Sequence, residues 1–338
     1  MNDLDKYDLR LLNVLEEDAR MPLTQIAKKL HSSQQVVSYR IKSLEQRKII
    51  GEYYTLIDIS RLGYTSYRTL IRLSNIDSEK KEEIIEYLMK HPNVLWLVDV
   101  GGRWDLLVNF LAKNIIQYYN LLSHFRSKFP NQIQNYDILT TIGGHYFGRS
   151  YFMKESRKAI KTLKFGIVDP KMEKIDELDL KVLFILSRNA RENAVRISEK
   201  VKTSPNTVIL RIKELKKKEI IQGFKPLIHL DKIDVSGYKA LIKFQNITEN
   251  KEKEMFRHLY ENPHVVGALK LVGLWDFEVE FEVEKKEQML SIVREIRDMF
   301  KDIIKDLEIL PLYHEYKYNF FPGDLLGLFH LDEFTVLF

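Results

Sequence analysis

The sequence predicts an α+β fold, a tandem duplication of a three-helix winged or helix-turn-helix domain followed by a βαββαβ ferredoxin-like domain. Three observations support this prediction. The chain matches itself at a constant offset of 171 residues, apolar residues recur at helical spacing at the start of each copy, and strand-like and helical segments follow in a fixed order. With 338 residues, the chain is long enough for more than one packed core.

The internal repeat keeps its register without a gap. It begins where Asp5 matches Asp176, and it still holds where Gly102 matches Gly273 in a shared Gly-x-Trp-Asp motif. A register held over this length indicates that two copies of one unit were fused. We therefore expect each copy to keep its own core.

The repeat divides the chain into six segments. They are helix-turn-helix domain 1 at 1–52, ferredoxin-like domain 1 at 53–142, a connector with a docking strand at 143–174, helix-turn-helix domain 2 at 175–223, ferredoxin-like domain 2 at 224–313 and a C-terminal docking tail at 314–338. The connector contains HYFGRSYF and the tail begins with HEYKYNFF, which both alternate aromatic and polar residues. This alternation is typical of strands, so we expect extra edge strands or docking arms at these places.

Each copy opens with three short helices. In the first copy, apolar residues recur at three- and four-residue intervals from Leu9 to Leu44. Ser33 suits the N-cap of the third helix, and in the second copy Ser204 is followed by Pro205 at the first helical position.

The rest of each copy predicts a ferredoxin-like module. In the first copy SYRTLIRL, NVLWLVDV, DLLVNFLA and IQNYDILTTI read as strands, and SEKKEEIIEYLMK and IIQYYNLLSHFRSKF read as helices. Both helices of a βαββαβ unit cover one face of its sheet, so the other face needs a partner. Two such modules are expected to pair, either within one chain as a pseudo-dimer or between chains as a homodimer.

Composition narrows the class of protein. The chain has 45% hydrophobic and 30% charged residues and a net charge of +5, which is mild for its length. It has no cysteine, which excludes disulfides and thiolate metal sites and fits a reducing interior. The charged N-terminus and the interrupted apolar tail predict no membrane span, so we expect a cytoplasmic protein.

The third helix of the first copy has an outward face suited to the major groove of DNA. Glutamine can pair with adenine, serine with several bases, and lysine with guanine or phosphate. The candidate DNA-binding residues of this copy are Ser33, Gln34, Gln35, Ser38, Tyr39, Arg40 and Lys42. Arg40 lies at the edge of the core, where bridging to phosphate or bracing the motif is the expected role. The alternative is a packing unit whose polar face meets only solvent.

The corresponding helix of the second copy leaves two interpretations open. Ile209 and Leu210 face outward, where they can touch thymine methyl groups or form a protein contact. Nearby lysines favour DNA slightly. The candidate DNA-binding residues of this copy are Ser204, Asn206, Thr207, Ile209, Leu210, Arg211, Lys213 and Lys217.

Together, the motif SSQQVVSYRIKSLEQRKII and the following βαββαβ module with GRWD resemble the Lrp/AsnC (feast/famine) family of transcription regulators, here as a tandem fusion. The resemblance implies small-molecule-responsive binding of double-stranded DNA and pairing through the C-terminal ferredoxin-like (RAM) modules, with an amino acid as the effector. One departure is visible. The family commonly has glycine just before the two isoleucines, where this chain has Lys48 and Glu219, so the helix end is expected to run on or turn differently.

The repeated Gly-x-Trp-Asp motif supplies the candidate effector-binding residues. A hairpin role suffices to explain it, because glycine can adopt positive φ and aspartate can cap backbone amides. The resemblance implies in addition that effectors bind near this loop, where aspartate would hold an ammonium group and threonine a carboxylate. The candidates are Gly102, Trp104, Asp105, Thr140, Gly273, Trp275 and Asp276.

Two other functions stay open. Siroheme decarboxylases share this layout, but their middle strands are rich in histidine and arginine, whereas VDVGGRWDLLVNF and KLVGLWDFEVEF contain no histidine. The sequence has no evident paired carboxylates, phosphate loop or metal-ligand spacing, so we expect no enzyme, no cofactor and no metal. The second alternative is a ligand sensor that acts through partner proteins without binding DNA.

Overall fold

The computed structural model describes residues 4–153, 162–166 and 172–327. Parts of the predicted connector, at 154–161 and 167–171, lie outside the described residues, and so does the predicted tail from 328 to 338.

Each copy begins with the three helices that the apolar spacing predicts. In the first helix-turn-helix domain, called here the first head, they are α1 (Lys6–Glu17), α2 (Leu23–Leu30) and α3 (Gln34–Gln46). In the second domain, the second head, they are α6 (Glu177–Arg188), α7 (Ala194–Val201) and α8 (Pro205–Lys217). Ser33 and Ser204 are the N-caps of α3 and α8, because each side chain accepts a hydrogen bond from the backbone N–H three residues later. Both caps and the proline at the first position of α8 are as predicted.

The turns that follow α3 and α8 each contain a residue in the left-handed conformation. Lys48 has φ 55° and Glu219 has φ 54°, so both take the conformation that glycine commonly provides at a helix end. The helices α3 and α8 therefore stop at Gln46 and Lys217 and do not run on. Lys48 and Glu219, which stand where the family commonly has glycine, therefore keep the turn but add local backbone strain.

Two strands join the heads. They are β1 (Ile50–Ile57) and β7 (Ile221–Ile228), which pair antiparallel with Thr55 opposite Phe224. Each head also bonds to the other copy's strand: the Ala19 N–H donates to the Phe224 carbonyl at 3.0 Å, and the Ala190 N–H donates to the Tyr53 carbonyl at 2.6 Å. The two heads are thus held together as one body.

Both ferredoxin-like modules have the predicted βαββαβ order. The first contains β2 (Thr65–Leu73), α4 (Ser78–Lys90), β3 (Val94–Val100), β4 (Leu106–Ala112), α5 (Ile115–Lys128) and β5 (Ile133–Tyr146). The second contains β8 (Ser236–Phe244), α9 (Glu249–Glu261), β9 (Val265–Gly273), β10 (Phe277–Val283), α10 (Lys286–Met299) and β11 (Ile304–Tyr318). Between them, β6 (Leu163–Phe165) pairs with the end of β5.

The two modules pair within the chain and close into one ring of strands. The order is β2-β4-β3-β11-β8-β10-β9-β5, and β5 returns to β2. The last strand of each module is long enough to serve both sheets: β5 pairs with β2 and then β9, and β11 pairs with β8 and then β3. Of the arrangements that the sequence leaves open, this chain has the intramolecular pseudo-dimer.

The cores follow this arrangement. The helices of each module cover the outer face of its own sheet and form separate clusters around Phe110 and Phe281. The inner faces share a single cluster with both heads, from Leu11 through Trp96 to Leu241. The expectation of one independent core per copy is therefore wrong for the heads, because β1 and β7 bring both sets of helices against the same strands.

Across 4–153, 162–166 and 172–327, no helix combines the length and the apolar character needed to span a bilayer.

Candidate DNA-binding helices and a central cavity

Helix α3 presents its predicted polar face to solvent. Val37, Ile41 and Leu44 are buried against the head. The exposed residues are Ser33, Gln34, Gln35, Tyr39 and Lys42, with Ser38 half-buried beside them. Tyr39 is 71% exposed, which is high for an aromatic residue and leaves its ring available to a partner. The face is thus accessible to a DNA groove in shape and in chemistry.

Helix α8 has a more apolar outer face. Ile209 and Leu210 are 57% and 56% exposed and belong to none of the buried clusters. Asn206, Lys213 and Lys217 are exposed beside them. Thr207 is instead engaged with the N-cap, where its hydroxyl lies 2.8 Å from the Ser204 hydroxyl. Helices α3 and α8 therefore expose different surfaces.

The two arginines predicted at the edges of these helices brace their heads. Arg40 Nη1 lies 2.7 Å from Asp5 and 3.3 Å from Asp8. Arg211 repeats the arrangement at the same distances with Asp176 and Asp179. Because each guanidinium is held by two carboxylates of the first helix, the geometry favours bracing over base reading.

Of the lysines near the end of α8, two contact the protein and two form no ion pair. Lys216 lies over the Phe224 ring, with Nζ 4.6 Å from its centroid, and Lys218 donates to the Lys174 carbonyl. Lys213 and Lys217 form no ion pair with any described residue. These two remain available to phosphate oxygens.

The Gly-x-Trp-Asp turns are built as hairpin supports. Asp105 accepts a hydrogen bond from the Leu73 N–H at 2.7 Å, and Asp276 accepts one from the Phe244 N–H at 2.8 Å. Trp104 and Trp275 are 2% and 4% exposed within the shared core. Gly102 and Gly273 have positive φ, and a side chain on Gly273 would meet the Ile138 carbonyl. The burial of the tryptophans and the hydrogen bonds from backbone amides to the aspartates favour a structural role for this motif.

A central cavity of about 510 Å³ lies between the inner faces of the two sheets. Of the predicted effector residues, it brings only Thr140 to its wall. Its charged lining residues come from both copies and from the connector: Asp58, Arg68, Arg149, Lys239, Glu278, Glu280 and Glu315. His145 also lines it, and burial with nearby Lys164 and Lys270 lowers its pKa to about 4, so the ring is neutral at neutral pH.

One ion cluster crosses this cavity from module to module. Arg68 Nη1 lies 2.8 and 3.0 Å from the two carboxylate oxygens of Glu278. Lys239 Nζ lies 2.7 Å from Glu278 and 2.5 Å from Glu280. These contacts hold Lys239 and Glu278 almost fully buried. Buried charges require such pairing.

A second ion cluster connects the cavity to the first head. Arg149 bonds Glu282 through Nε at 2.9 Å and Glu16 of α1 through Nη1 at 2.5 Å. Lys225 of β7 donates to the backbone carbonyl of Glu16. The head and the interior of the ring are therefore linked by charge as well as by packing.

Glu315 is the exception among these charges. Within the described part of the chain it makes no ion pair, and it lines the cavity together with Glu280 and Trp96. Desolvation by the protein atoms around the cavity, together with the Glu280 carboxylate, raises the pKa of Glu315 to about 7, although the side chain itself is solvent-exposed. Among the described residues, several buried atoms of the lining have no hydrogen-bond partner, including Asn109 Oδ1, Arg68 Nε and Thr141 Oγ1.

Sequence reasoning missed this cavity. The signal was present in FEVEFEV, where Glu278, Glu280 and Glu282 alternate with apolar residues. That alternation is typical of a strand with one solvated face, so it gave no reason to place three carboxylates inside the protein. The cationic partners, Arg68 and Lys239, lie on other strands.

Comparison with known proteins defines the class. Residues 4–45 match the model of the AsnC-type helix-turn-helix domain, and residues 175–222 match that of a winged helix-turn-helix DNA-binding domain. The HTH-type transcriptional regulator LrpA of Pyrococcus horikoshii is 39% identical over 113 residues, which cover 33% of this chain and 77% of that protein. An uncharacterised HTH-type transcriptional regulator of the same organism is 30% identical over 138 residues, which cover 39% of this chain and 88% of that protein.

These matches confirm a helix-turn-helix regulator with two DNA-binding domains. The chain belongs to the Lrp/AsnC family of HTH-type transcriptional regulators.

The whole two-copy architecture has a different counterpart. The crystal structure of the siroheme decarboxylase NirDL is similar over 98% of both chains, with a TM-score of 0.62 and 12% sequence identity. At this identity the likeness concerns the fold alone. It nevertheless corrects the expectation that the chain is no enzyme, because the complete fold is one that an enzyme uses.

Proposed function

We propose that this chain binds double-stranded DNA as an intramolecular pseudo-dimer, with two unlike recognition helices reading the unlike halves of an imperfect palindrome. The observation that carries the proposal is the pairing of β1 with β7, which fixes both heads in one body. Half-sites of such a pair are expected about one helical turn apart.

The surfaces of α3 and α8 support unlike half-sites. Gln35, Ser38 and Lys42 offer hydrogen bonds to base edges and phosphate. Ile209 and Leu210 offer apolar contact to thymine methyl groups, flanked by two lysines for phosphate. A symmetric palindrome would leave one of these surfaces mismatched.

A small molecule, an amino acid or a related compound, would modulate this binding from the paired modules. The central cavity lies between those modules and is connected to the first head by the Arg149–Glu16 pair. A ligand in the cavity that disturbed this pair would change how the first head is held.

Selection of duplexes from a random pool tests the DNA proposal, followed by footprinting with the full-length protein. Two dissimilar protected half-sites are expected. The combined variant Gln35→Ala, Ser38→Ala, Lys42→Ala should lose protection at one half-site only, while Lys90→Ala, on the exposed surface of α4, should keep both. Failure to enrich any duplex would contradict the proposal and favour a sensor that acts through partner proteins.

Catalysis in the central cavity is a second candidate, favoured by the whole-chain likeness to NirDL. That enzyme is also known in complex with an iron-uroporphyrin III analogue. Here the basic side chains that line the cavity are paired with glutamates, which limits their availability to the carboxylates of a tetrapyrrole. Added siroheme should shift its visible absorption spectrum and lose mass as carbon dioxide if this candidate is right.

A further inference from the structure

We propose that the central cavity binds a small organic ammonium ion, held by the carboxylate of Glu315 and by the aromatic rings of Tyr54, Tyr318 and Phe320. Its action as an effector rests on the proposed function, but its binding does not. The ligand class follows from the charges and rings that line the cavity.

The charge balance of the cavity leaves one carboxylate without a cation. Arg68 and Lys239 are held by Glu278 and Glu280, and Arg149 is held by Glu282 and Glu16. Asp58 lies 3.9 Å from Arg61. Among these carboxylates, Glu315 alone forms no ion pair with a described residue, although Arg149 and Lys239 are close enough to lower its pKa. Glu315 is solvent-exposed and lines the cavity, so an ammonium ion that enters the cavity can reach this carboxylate and supply the missing charge.

Three aromatic rings line the same cavity as this carboxylate. The Tyr54 and Tyr318 centroids are 4.6 Å apart, and Phe320 lies 5.1 Å from Tyr318 and 6.0 Å from Tyr54. All three line the cavity. Aromatic faces attract ammonium groups, most strongly where water is excluded. The same cavity already shows this contact, since Lys239 Nζ lies 4.7 Å from the centroid of the Trp96 ring.

The charge balance also separates an amine from an amino acid. A zwitterion would bring a carboxylate of its own, and the cations in the cavity are already engaged by glutamates. The total charge of the cavity lining and the bound zwitterion would then stay negative. An amine that lacks a carboxylate neutralises Glu315 and needs no additional cation from the protein. The volume of about 510 Å³ is adequate for a ligand with an apolar body.

Proton linkage follows from the same geometry. The charged groups that face Glu315 are Glu280 from β10, Lys239 from β8 and Arg149 from the connector, and the pKa of the Glu315 carboxyl is raised to about 7. An ammonium ion binds the ionised carboxylate, so binding near neutral pH releases a proton. Affinity should therefore rise as the pH increases from about 6 to about 8, while the amine stays protonated.

Isothermal titration of the full-length protein tests the proposal, with 2-phenylethylamine and L-phenylalanine as probes that differ by one carboxylate. The amine is expected to bind at least ~10-fold more tightly than the amino acid, with proton release that depends on the buffer. Glu315→Gln should weaken amine binding ~10-fold or more. Glu308→Gln, a matched change on the same strand outside the cavity lining, should leave it unchanged.

A second pair of variants tests the rings. Tyr318→Leu should weaken amine binding about 5-fold, and Tyr318→Phe should retain it, because the ring and not the hydroxyl makes the contact. Equal affinity for both probes, no binding of the amine, or an unchanged affinity in Glu315→Gln would each overturn the proposal. Since the titration contains no DNA, these results are independent of duplex selection, and either proposal can fail alone.

Discussion

Arg68 of the first module and Glu278 of the second form a buried ion pair across the interior of the closed ring, with Nη1 2.8 and 3.0 Å from the two carboxylate oxygens. The pair joins residues that are 210 positions apart. It therefore exists only when both modules are folded and paired. Its strength is a measure of how firmly the two copies are held together.

We expect Arg68→Met to lower the free energy of unfolding by about 3 kcal/mol, because Glu278 then keeps only Lys239 as a partner in a buried site. Urea unfolding measures the change. Arg72→Met, on the same strand but exposed, should stay within about 0.5 kcal/mol of the wild type. Equal effects of the two substitutions would contradict the importance of the pair.

The left-handed turn at Lys48 provides a stabilising substitution. Lys48→Gly should raise the free energy of unfolding by about 0.5 to 1 kcal/mol, because glycine adopts φ 55° without steric strain. Glu219→Gly should gain less, since Glu219 also pairs with Arg61 and that contact would be lost. Thermal unfolding of the two variants compares them directly. A loss of stability in Lys48→Gly would show that the turn is not strained.

The elements of each copy were readable from the sequence because they depend on local signals. Apolar spacing, capping serines and strand alternation predict the helices and the βαββαβ order, and Ser33 and Ser204 cap their helices as expected. The segments HYFGRSYF and HEYKYNFF suggested added strands or docking arms. HEYKYNFF extends β11 to Tyr318, whereas HYFGRSYF extends β5 only to Tyr146 and then forms a short 3-10 helix at Ser150–Phe152. Neither segment indicated its partner strand. Those partners, β9 and β3, lie in the other copy, and pairing over such distances leaves no local pattern.

The cavity was less predictable than the heads. Charged residues inside a protein look like surface residues until their partners are known, and Arg68, Lys239 and Glu278 come from three different strands. The recognition helices could be found because their function requires an exposed polar face on a single helix.

Stability should depend on pH through Glu315. Its pKa is raised from 4.5 to about 7 in the folded protein, so the folded state binds the proton more tightly than the unfolded state does. The resulting stability is fully present below about pH 4.5 and is lost as the pH rises through about 7. Glu315→Gln should therefore gain ~1 kcal/mol over the wild type at about pH 8, after allowance for screening by water in the cavity, and little at about pH 4. Urea unfolding at both pH values measures this effect. A difference in the free energy of unfolding between Glu315→Gln and the wild type that is the same at both pH values would contradict the prediction.

Loss of a phosphate contact and loss of a base contact should affect the salt dependence of DNA affinity differently. Lys217→Ala should weaken binding to all duplexes and lower the slope of log affinity against log salt by about 1. Gln35→Ala should change the preferred base at one position and leave that slope unchanged. Fluorescence anisotropy at several salt concentrations measures both. An unchanged slope in Lys217→Ala would remove this lysine from the DNA interface.

The exposed pair Ile209 and Leu210 distinguishes reading of thymine from docking to protein. If α8 reads DNA, Ile209→Ser and Leu210→Ser should each reduce affinity about 5-fold for selected duplexes with thymine in the second half-site. They should change little when uracil, which lacks the methyl group, replaces that thymine. Val195→Ser is the control, since Val195 is similarly exposed at 54% but lies on α7. Equal losses on thymine and uracil duplexes would exclude methyl contact. No loss on either duplex would assign this surface to a protein partner, because two adjacent aliphatic side chains at 57% and 56% exposure favour burial in some interface.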